Sequence, residues 1–235
     1  MHRLELKYIG HSGFLCDTGK RFLLFDLFED KHGLLDGGLP HEGDGAVFVS
    51  HSHRDHFNPG VFGLGVPGRT TYVVDSGVDA PGSSCETRKV SPGQALDAGP
   101  VRIKVFGSTD EGSSFLVETD GWSVFHSGDL NDWYWKEEST REELLRDEDL
   151  YMKELGRIRA NSIDVAFVPV DLRLGAYAAR GARHFAKTVR PGCIVPMHMN
   201  GRLDPHLFEE ALRFEGSCSI PLIMEEGGRT ELRKE

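Results

Sequence analysis

The chain has 235 residues, 39% of them hydrophobic and 27% charged, with a formal net charge of −10. This is the composition of a globular protein, and the length suits one large α/β domain over residues 1–235 better than two small ones. No window reaches the uninterrupted apolar length of a spanning helix, MHRLELKYIG lacks the apolar core of a secretion signal, and the acidic balance disfavours attraction to a phosphate backbone or an anionic membrane. A cytoplasmic protein acting on a small molecule is expected, with nucleic acid and membrane disfavoured. The sequence says nothing of oligomeric state. Cys16, Cys85, Cys193 and Cys218 form no CxxC pair, so buried, reduced thiols are expected rather than a redox motif or a thiolate metal knuckle.

Taken in chain order, Arg3 to Tyr8 alternates polar and apolar as a half-buried strand does, and Phe14 to Cys16 joins the buried run Phe22 to Phe25 across an Asp17-Thr18-Gly19-Lys20 turn. Further strands are expected at Ala46 to Ser50, Thr71 to Val74, Val101 to Phe106, Phe115 to Glu118, Ser123 to His126, Ile163 to Val168, Cys193 to Met197 and Ile220 to Met224. SGFLCDTGKRFLLFD, from Ser12, is echoed by SSFLVETDGWSVFHSGD, from Ser113, which suggests two related halves that each build a sheet. Helices gather late: Arg141 to Ala160 is amphipathic, with Leu144, Tyr151, Leu155 and Ile158 on one face, and Ala176 to Val189 and Pro205 to Phe214 are shorter. Strands following helices indicate βα alternation.

The chemistry concentrates in VFVSHSHRDHFNP. His51, His53, Asp55 and His56 fall within six positions directly after an apolar strand. Left unbound, so dense a polar cluster beside the core would be costly; as ligands, imidazole and carboxylate suit Zn²⁺, with Mn²⁺ or Fe²⁺ as alternatives. The cluster cannot close a two-metal site by itself. Asp129, in FHSGD, and His198, in VPMHM, each stand at the exit of another expected strand, where ligands in α/β proteins gather. His126, inside its strand, reads as a packing or bracing residue.

HSHRDH, the Gly128-Asp129 pair and the late His198 together resemble the metallo-β-lactamase-fold hydrolases, and YIGHSGF (Tyr8 to Phe14) resembles the opening of the branch related to ascorbate-phosphate lactonase. The resemblance implies a four-layer αβ/βα sandwich of two mixed β-sheets flanked by helices. It also implies that Asp129 bridges two metals, His51 and His53 serving the first and Asp55, His56 and His198 the second. The family's first metal customarily takes one more His between HxHxDH and the bridging Asp, and here Phe57 to Phe125 contains none. In FGSTDEGSSF, Asp110 is the expected substitute over Ser108 or Thr109, because a carboxylate is the better ligand. The alternatives are a weakened first site, or one metal only.

Such a constellation supports hydrolysis by a metal-activated hydroxide, on a small ester, lactone, amide or phosphodiester. Asp55 would ligate and orient, His11 would donate a proton or brace a ligand, and Arg173 would hold an anionic group on the substrate unless it pairs with Asp171. Trp133, Tyr134 and Trp135 are expected to anchor the following helix, with a lid over the substrate as the other reading. A metal-dependent nuclease and a catalytically silent metal-binding interaction protein remain the competing functions.

Overall fold

The computed structural model describes residues 2–80, 82–159, 161–213 and 219–235. Its first sheet contains β1 (His2–Gly10), β2 (Gly13–Asp17), β3 (Phe22–Phe25), β4 (Gly45–Val49), β5 (Thr70–Asp75) and β6 (Glu86–Val90). The second contains β7 (Ala95–Ala98), β8 (Val101–Phe106), β9 (Ser114–Thr119), β10 (Trp122–His126), β11 (Val165–Pro169), β12 (Cys193–Met197) and β13 (Ile220–Pro221). The last strand, β14 (Arg229–Lys234), returns to the first sheet beside β1. The orders are β14-β1-β2-β3-β4-β5-β6 and β13-β12-β11-β10-β9-β8-β7.

The echo between the two halves is a topological identity. In the first sheet β1, β2 and β3 pair antiparallel, and β3, β4, β5 and β6 then pair parallel. In the second, β8, β9 and β10 are antiparallel, and β10, β11, β12 and β13 are parallel. The two similar sequence stretches are the hairpins β2–β3 and β9–β10, which occupy equivalent places.

Alternation decides which faces meet. Leu4, Leu6 and Tyr8 of β1, with Phe25 and Phe48, share one core with Ile103, Val105, Phe115 and Val117 of the second sheet. Helices α1 (Arg141–Ile158), α2 (Arg180–Thr188) and α3 (Pro205–Leu212) cover the outside of the second sheet. Thr140 and Glu143 start α1 with a reciprocal capping box, and Leu144, Tyr151, Leu155 and Ile158 are the face it buries. The outer face of the first sheet buries Leu15, Leu24, Val47 and Val49 under Val61 and Phe62 of a short 3₁₀ helix and under the loop carrying Leu27 and Leu35. The four-layer arrangement is therefore present, with a thinner outer layer on this side.

Several expected boundaries move. Helix α2 begins at Arg180 rather than Ala176, because Leu172–Tyr177 forms a 3₁₀ turn broken at Gly175, whose φ is 58°. The Ile220 to Met224 strand shortens to Ile220–Pro221. Ala160, Phe214 and Cys218 lie outside the described residues, while Cys16, Cys85 and Cys193 are buried free thiols. No described helix is long and apolar enough to cross a membrane.

Candidate metal centre

Strand exits from both sheets converge on one place. Asp26 follows β3, His51 follows β4, Asp129 follows β10, Asp171 follows β11, and His198 follows β12 directly, while His11 sits in the β1–β2 turn. Ser50 is the packing point between loops. Any side chain at Gly112 would meet the Ser50 carbonyl at 2.0 Å and His51 Cβ at 2.6 Å, and Gly112 has φ +74°. Gly128, at φ +52°, is equally closed by Ser50 Cβ at 2.8 Å. Glycine at these two positions brings the loops holding residues 110–113 and 127–130 against the HSHRDH segment. His11, Asp26 and His198 themselves have φ of 51°, 41° and 57°, a backbone cost that residues without a β-carbon would avoid.

The outer nitrogens of the histidines are held by a hydrogen-bond framework that fixes their tautomers. Ser50 Oγ donates to Asp26 Oδ2 at 2.6 Å and must therefore accept from His51 Nδ1 at 2.8 Å. His56 Nδ1 donates to the same Asp26 oxygen at 2.8 Å, and His198 Nδ1 donates to Asp171 Oδ2 at 3.2 Å. With Nδ1 engaged in all three, Nε2 is the nitrogen turned inward, and in the neutral ring it offers a lone pair there, the arrangement that carboxylate–histidine pairs create at metal sites. The loops are also tied directly, the His198 backbone N–H donating to the His11 carbonyl at 3.0 Å and Tyr8 Oη donating to it at 2.8 Å.

The inward atoms form two groups, His11, Asp55, His56 and His198 in one and His51, His53 and Asp129 in the other, with the donor atoms of each within 4.8 Å of one another. Asp129 lies between them: Oδ2 is 3.4 Å from His51 Nε2, while Oδ1 is 3.0 Å from His56 Nε2 and 3.6 Å from His198 Nε2. Asp55 Oδ2 approaches His11 Nε2 at 3.3 Å and His198 Nε2 at 3.7 Å. Ligands at about 2.0 Å from a tetrahedral cation stand about 3.3 Å apart, so these spacings suit a metal ion. Nε2 of His11, His51 and His56 and Oδ1 of Asp129 are buried without a hydrogen-bond partner. Donors that face donors in a buried place need a positive charge between them, a proton or a metal ion.

The electrostatics express the same demand. Burial pulls the His56 imidazole down, but the Asp129 and Asp26 carboxylates outweigh it and hold its pKa up at about 10. For Asp129, burial works against ionisation and the contacts with His51 and His56 win, so the carboxyl is held well below its ordinary range. Asp55 is lowered chiefly by the neighbouring His11 imidazole. His11 itself is lowered, mainly by burial.

Of the residues singled out in sequence, His51, His53, Asp55, His56, Asp129 and His198 all come together, and His11 joins them as a donor in its own right. Asp110 does not. Its side chain is exposed and outside both groups, its backbone N–H is turned to Ser108 Oγ at 3.2 Å, and the neighbouring Thr109 Oγ1 is engaged by the Asn131 carbonyl at 2.6 Å. The acid that faces this group is Glu111, whose Oε2 is 3.4 Å from His53 Nε2. Arg173 lies outside the groups as well, with Nε 2.9 Å from both carboxylate oxygens of Asp171, the residue that holds His198. Core packing is confirmed for His126: it stacks on Phe25 at 5.0 Å, accepts from the Gly128 N–H and contacts the Ser12 carbonyl. The aromatic segment borders the site instead of only anchoring α1. Trp133 donates Nε1–H to the Asp129 carbonyl at 3.0 Å and sets its ring against His198 at 5.6 Å, and Trp135 stacks on Trp133. Asp26, which supports two histidines, carried no signal in sequence beyond closing the first of the two echoed stretches.

A cleft of about 660 Å³ reaches His11 and Asp55 from outside, walled by Ile9, Phe28, Met199 and Leu203, with Lys31 and Arg202 and the carboxylates of Glu29, Glu225 and Glu226 also lining it.

Comparison with known proteins agrees with this frame. Residues 5–152, more than half of the chain, match the family described as "Beta-lactamase superfamily domain". The chain is 29% identical over 241 residues to a UPF0173 metal-dependent hydrolase of Opitutus terrae, covering 91% of this chain and 94% of that protein. A similar relative, at 25% identity and with 94% and 96% coverage, is the UPF0173 metal-dependent hydrolase of Pelotomaculum thermopropionicum. Among solved structures, the fold is shared with Igni18, a metallo hydrolase from Ignicoccus hospitalis, at TM-score 0.71, 22% identity and coverage of 99% of this chain and 100% of that one. These relatives carry the UPF0173 description and not that of ascorbate-phosphate lactonase, so the narrower branch suggested by YIGHSGF gives way to the superfamily. On the breadth of the family match the chain belongs to the beta-lactamase superfamily, with the two-sheet fold of the metallo hydrolases and similarity to the UPF0173 metal-dependent hydrolases.

Proposed function

We propose that the protein is a metal-dependent hydrolase of a small ester, lactone, amide or phosphodiester, with Zn²⁺ as its metal and Mn²⁺ or Fe²⁺ as alternatives. One observation carries the reading: imidazole and carboxylate lone pairs from both sheets point at a common buried space and have no hydrogen-bond partner there. His51, His53 and Asp129 would hold one ion, and His11, Asp55, His56, His198 and Asp129 the other. When bound, such ions supply an acidified water and polarise a carbonyl or phosphoryl oxygen.

The chain's own groups do the rest. Asp55 is half exposed at the inner end of the cleft, and its lowered pKa suits it to holding a cation or orienting a water rather than storing a proton. His11 is kept neutral by burial, and its backbone N–H is fixed by Glu226 Oε1 at 3.1 Å. Trp133 closes the side next to His198 and excludes water there. The cleft's apolar wall suits a small and partly apolar molecule, and its cations Lys31 and Arg202 are each paired with a carboxylate of the same cleft, Glu29 and Glu225. Arg173 bears on catalysis through Asp171, as the residue that fixes the brace of His198, and its half-exposed guanidinium is a place for an anion.

The test is turnover of lactones, esters, amides and phosphodiesters by protein loaded in turn with Zn²⁺, Mn²⁺ and Fe²⁺. Metal-dependent turnover of at least one class is expected, abolished in Asp129→Ala while circular dichroism shows the fold retained. A loaded protein inert on all four classes, or an Asp129→Ala variant as active as wild type, rejects the proposal.

A further inference from the structure

The first donor group holds three protein donors, His51, His53 and Asp129, and a carboxylate, that of Glu111, stands beside the exposed one, His53. We infer that Glu111 is the carboxylate that closes this group, so that its protein ligands are His51, His53, Glu111 and the shared Asp129. The inference rests on the metal-site reading above and assigns to it a residue that the sequence pattern does not.

Position 111 is fixed by its neighbours on both sides. On one side Thr109 is tied to the loop after Asp129, its Oγ1 donating to the Asn131 carbonyl at 2.6 Å and accepting from the Asn131 N–H at 3.0 Å. On the other, Gly112 lies against Ser50 so closely that no side chain fits, and the Ser113 N–H donates to the Ser50 carbonyl at 3.0 Å. Ser113 Oγ is in turn held by Asp75 Oδ2 at 2.6 Å. Between these anchors only Asp110 and Glu111 form the tip. Asp110 faces solvent, whereas Glu111 faces His53, with Oε2 3.4 Å from Nε2. The contact is with His53 alone: Glu111 stands just outside the His51, His53 and Asp129 donors that lie within 4.8 Å of one another, and a turn of its exposed side chain would bring the carboxylate in.

His51 Nε2, buried, aimed into the group and without a hydrogen-bond partner, calls for a cation at this place. Two imidazoles with carboxylates form a competent set for Zn²⁺ and for Fe²⁺, so the replacement keeps a metal site while making it harder in ligand character. Because the side chains of Glu111 and His53 are 57% and 42% exposed and His53 has no carboxylate behind it, the ion held here exchanges more readily than one held by His56 and His198, which Asp26 and Asp171 brace.

Metal content and affinity test this without any assay of turnover. Purified protein titrated with Zn²⁺ and, separately, with Co²⁺ should bind two equivalents, the weaker of which is weakened at least about tenfold in Glu111→Gln, since even a partner behind a ligand is worth about 10–100-fold. The tighter equivalent and the far-ultraviolet spectrum should stay as in wild type, Asp110→Ala should change neither equivalent, and Glu111→His should restore the weaker one with a changed Co²⁺ absorption band. The inference is overturned if Glu111→Gln leaves both affinities unchanged, which would make the Glu111–His53 contact a surface ion pair only, if Asp110→Ala abolishes the weaker equivalent, or if wild type binds a single equivalent. Failure of the broader reading looks different, since wild type would then bind no metal at all.

Discussion

The two donor groups differ most in what stands behind their ligands. His56 and His198 are each backed by a buried carboxylate, Asp26 and Asp171, and the pair is further locked by the contact between the His198 N–H and the His11 carbonyl. In the other group only His51 has such backing, through Ser50, while His53 stands half exposed. The difference teaches that ligand identity is a poor guide to site strength. Four imidazole or carboxylate donors with oriented lone pairs form a ready cage, whereas two imidazoles and a shared carboxylate need a further ligand from a surface loop.

The largest expected effect comes from removing a member of the braced group. His56→Ala should eliminate the tightly bound metal equivalent, while His53→Ala should remove only the weaker one, as elemental analysis after brief dialysis against a chelator would show; equal losses would end the distinction between the groups. A smaller effect is expected from the support itself. In Asp26→Asn an amide nitrogen must replace one of two oxygens that together accept from the Ser50 N–H, Ser50 Oγ and His56, so metal affinity should fall about 10–100-fold in an isothermal titration. Wild-type affinity in that variant would show that packing alone orients the rings.

The smallest effect concerns protons. In metal-free protein the pKa of His56 is about 10 against about 6.5 in an unfolded chain, so the fold holds that proton more tightly. Its stabilisation is complete below about pH 6.5 and is lost as pH rises through about 10. The melting temperature of chelated protein should therefore decline between pH 7 and 9, and the His56→Gln variant should show a shallower decline. Identical slopes would show that the proton on His56 does not compensate the carboxylates.

The strongest ligands were legible because three kinds of signal coincided in them: a residue type that carries chemistry, an apolar strand before it, and a short turn after it. His51, His56, Asp129 and His198 all have this form. Glu111 was not legible, since its place depends on Gly112 meeting Ser50 across 62 residues of sequence, and no periodicity in GSTDEG distinguishes it from Asp110. Asp26 was equally hidden, because a carboxylate that serves through another residue looks like any strand-end acid. For the fold, buried strands were read well and polar ones were missed. β6 (ETRKV), β7 (ALDA) and β14 (RTELRK) lie at or near sheet edges and show too little apolar pattern to register. The similarity of the two hairpins foretold the repeated topology, since each hairpin must fill the middle of a sheet and is constrained on both faces.

That repeated topology has a mechanical consequence. His11 and the HSHRDH ligands belong to one copy of the pattern, Asp129 and His198 to the other, and the chain passes between the copies at Ser91–Gln94. A cation seated among them is a rivet through two plates. It closes a loop of chain in the way a cross-link does, so the ion's departure would slacken the joint between the sheets as well as silence the chemistry at its edge.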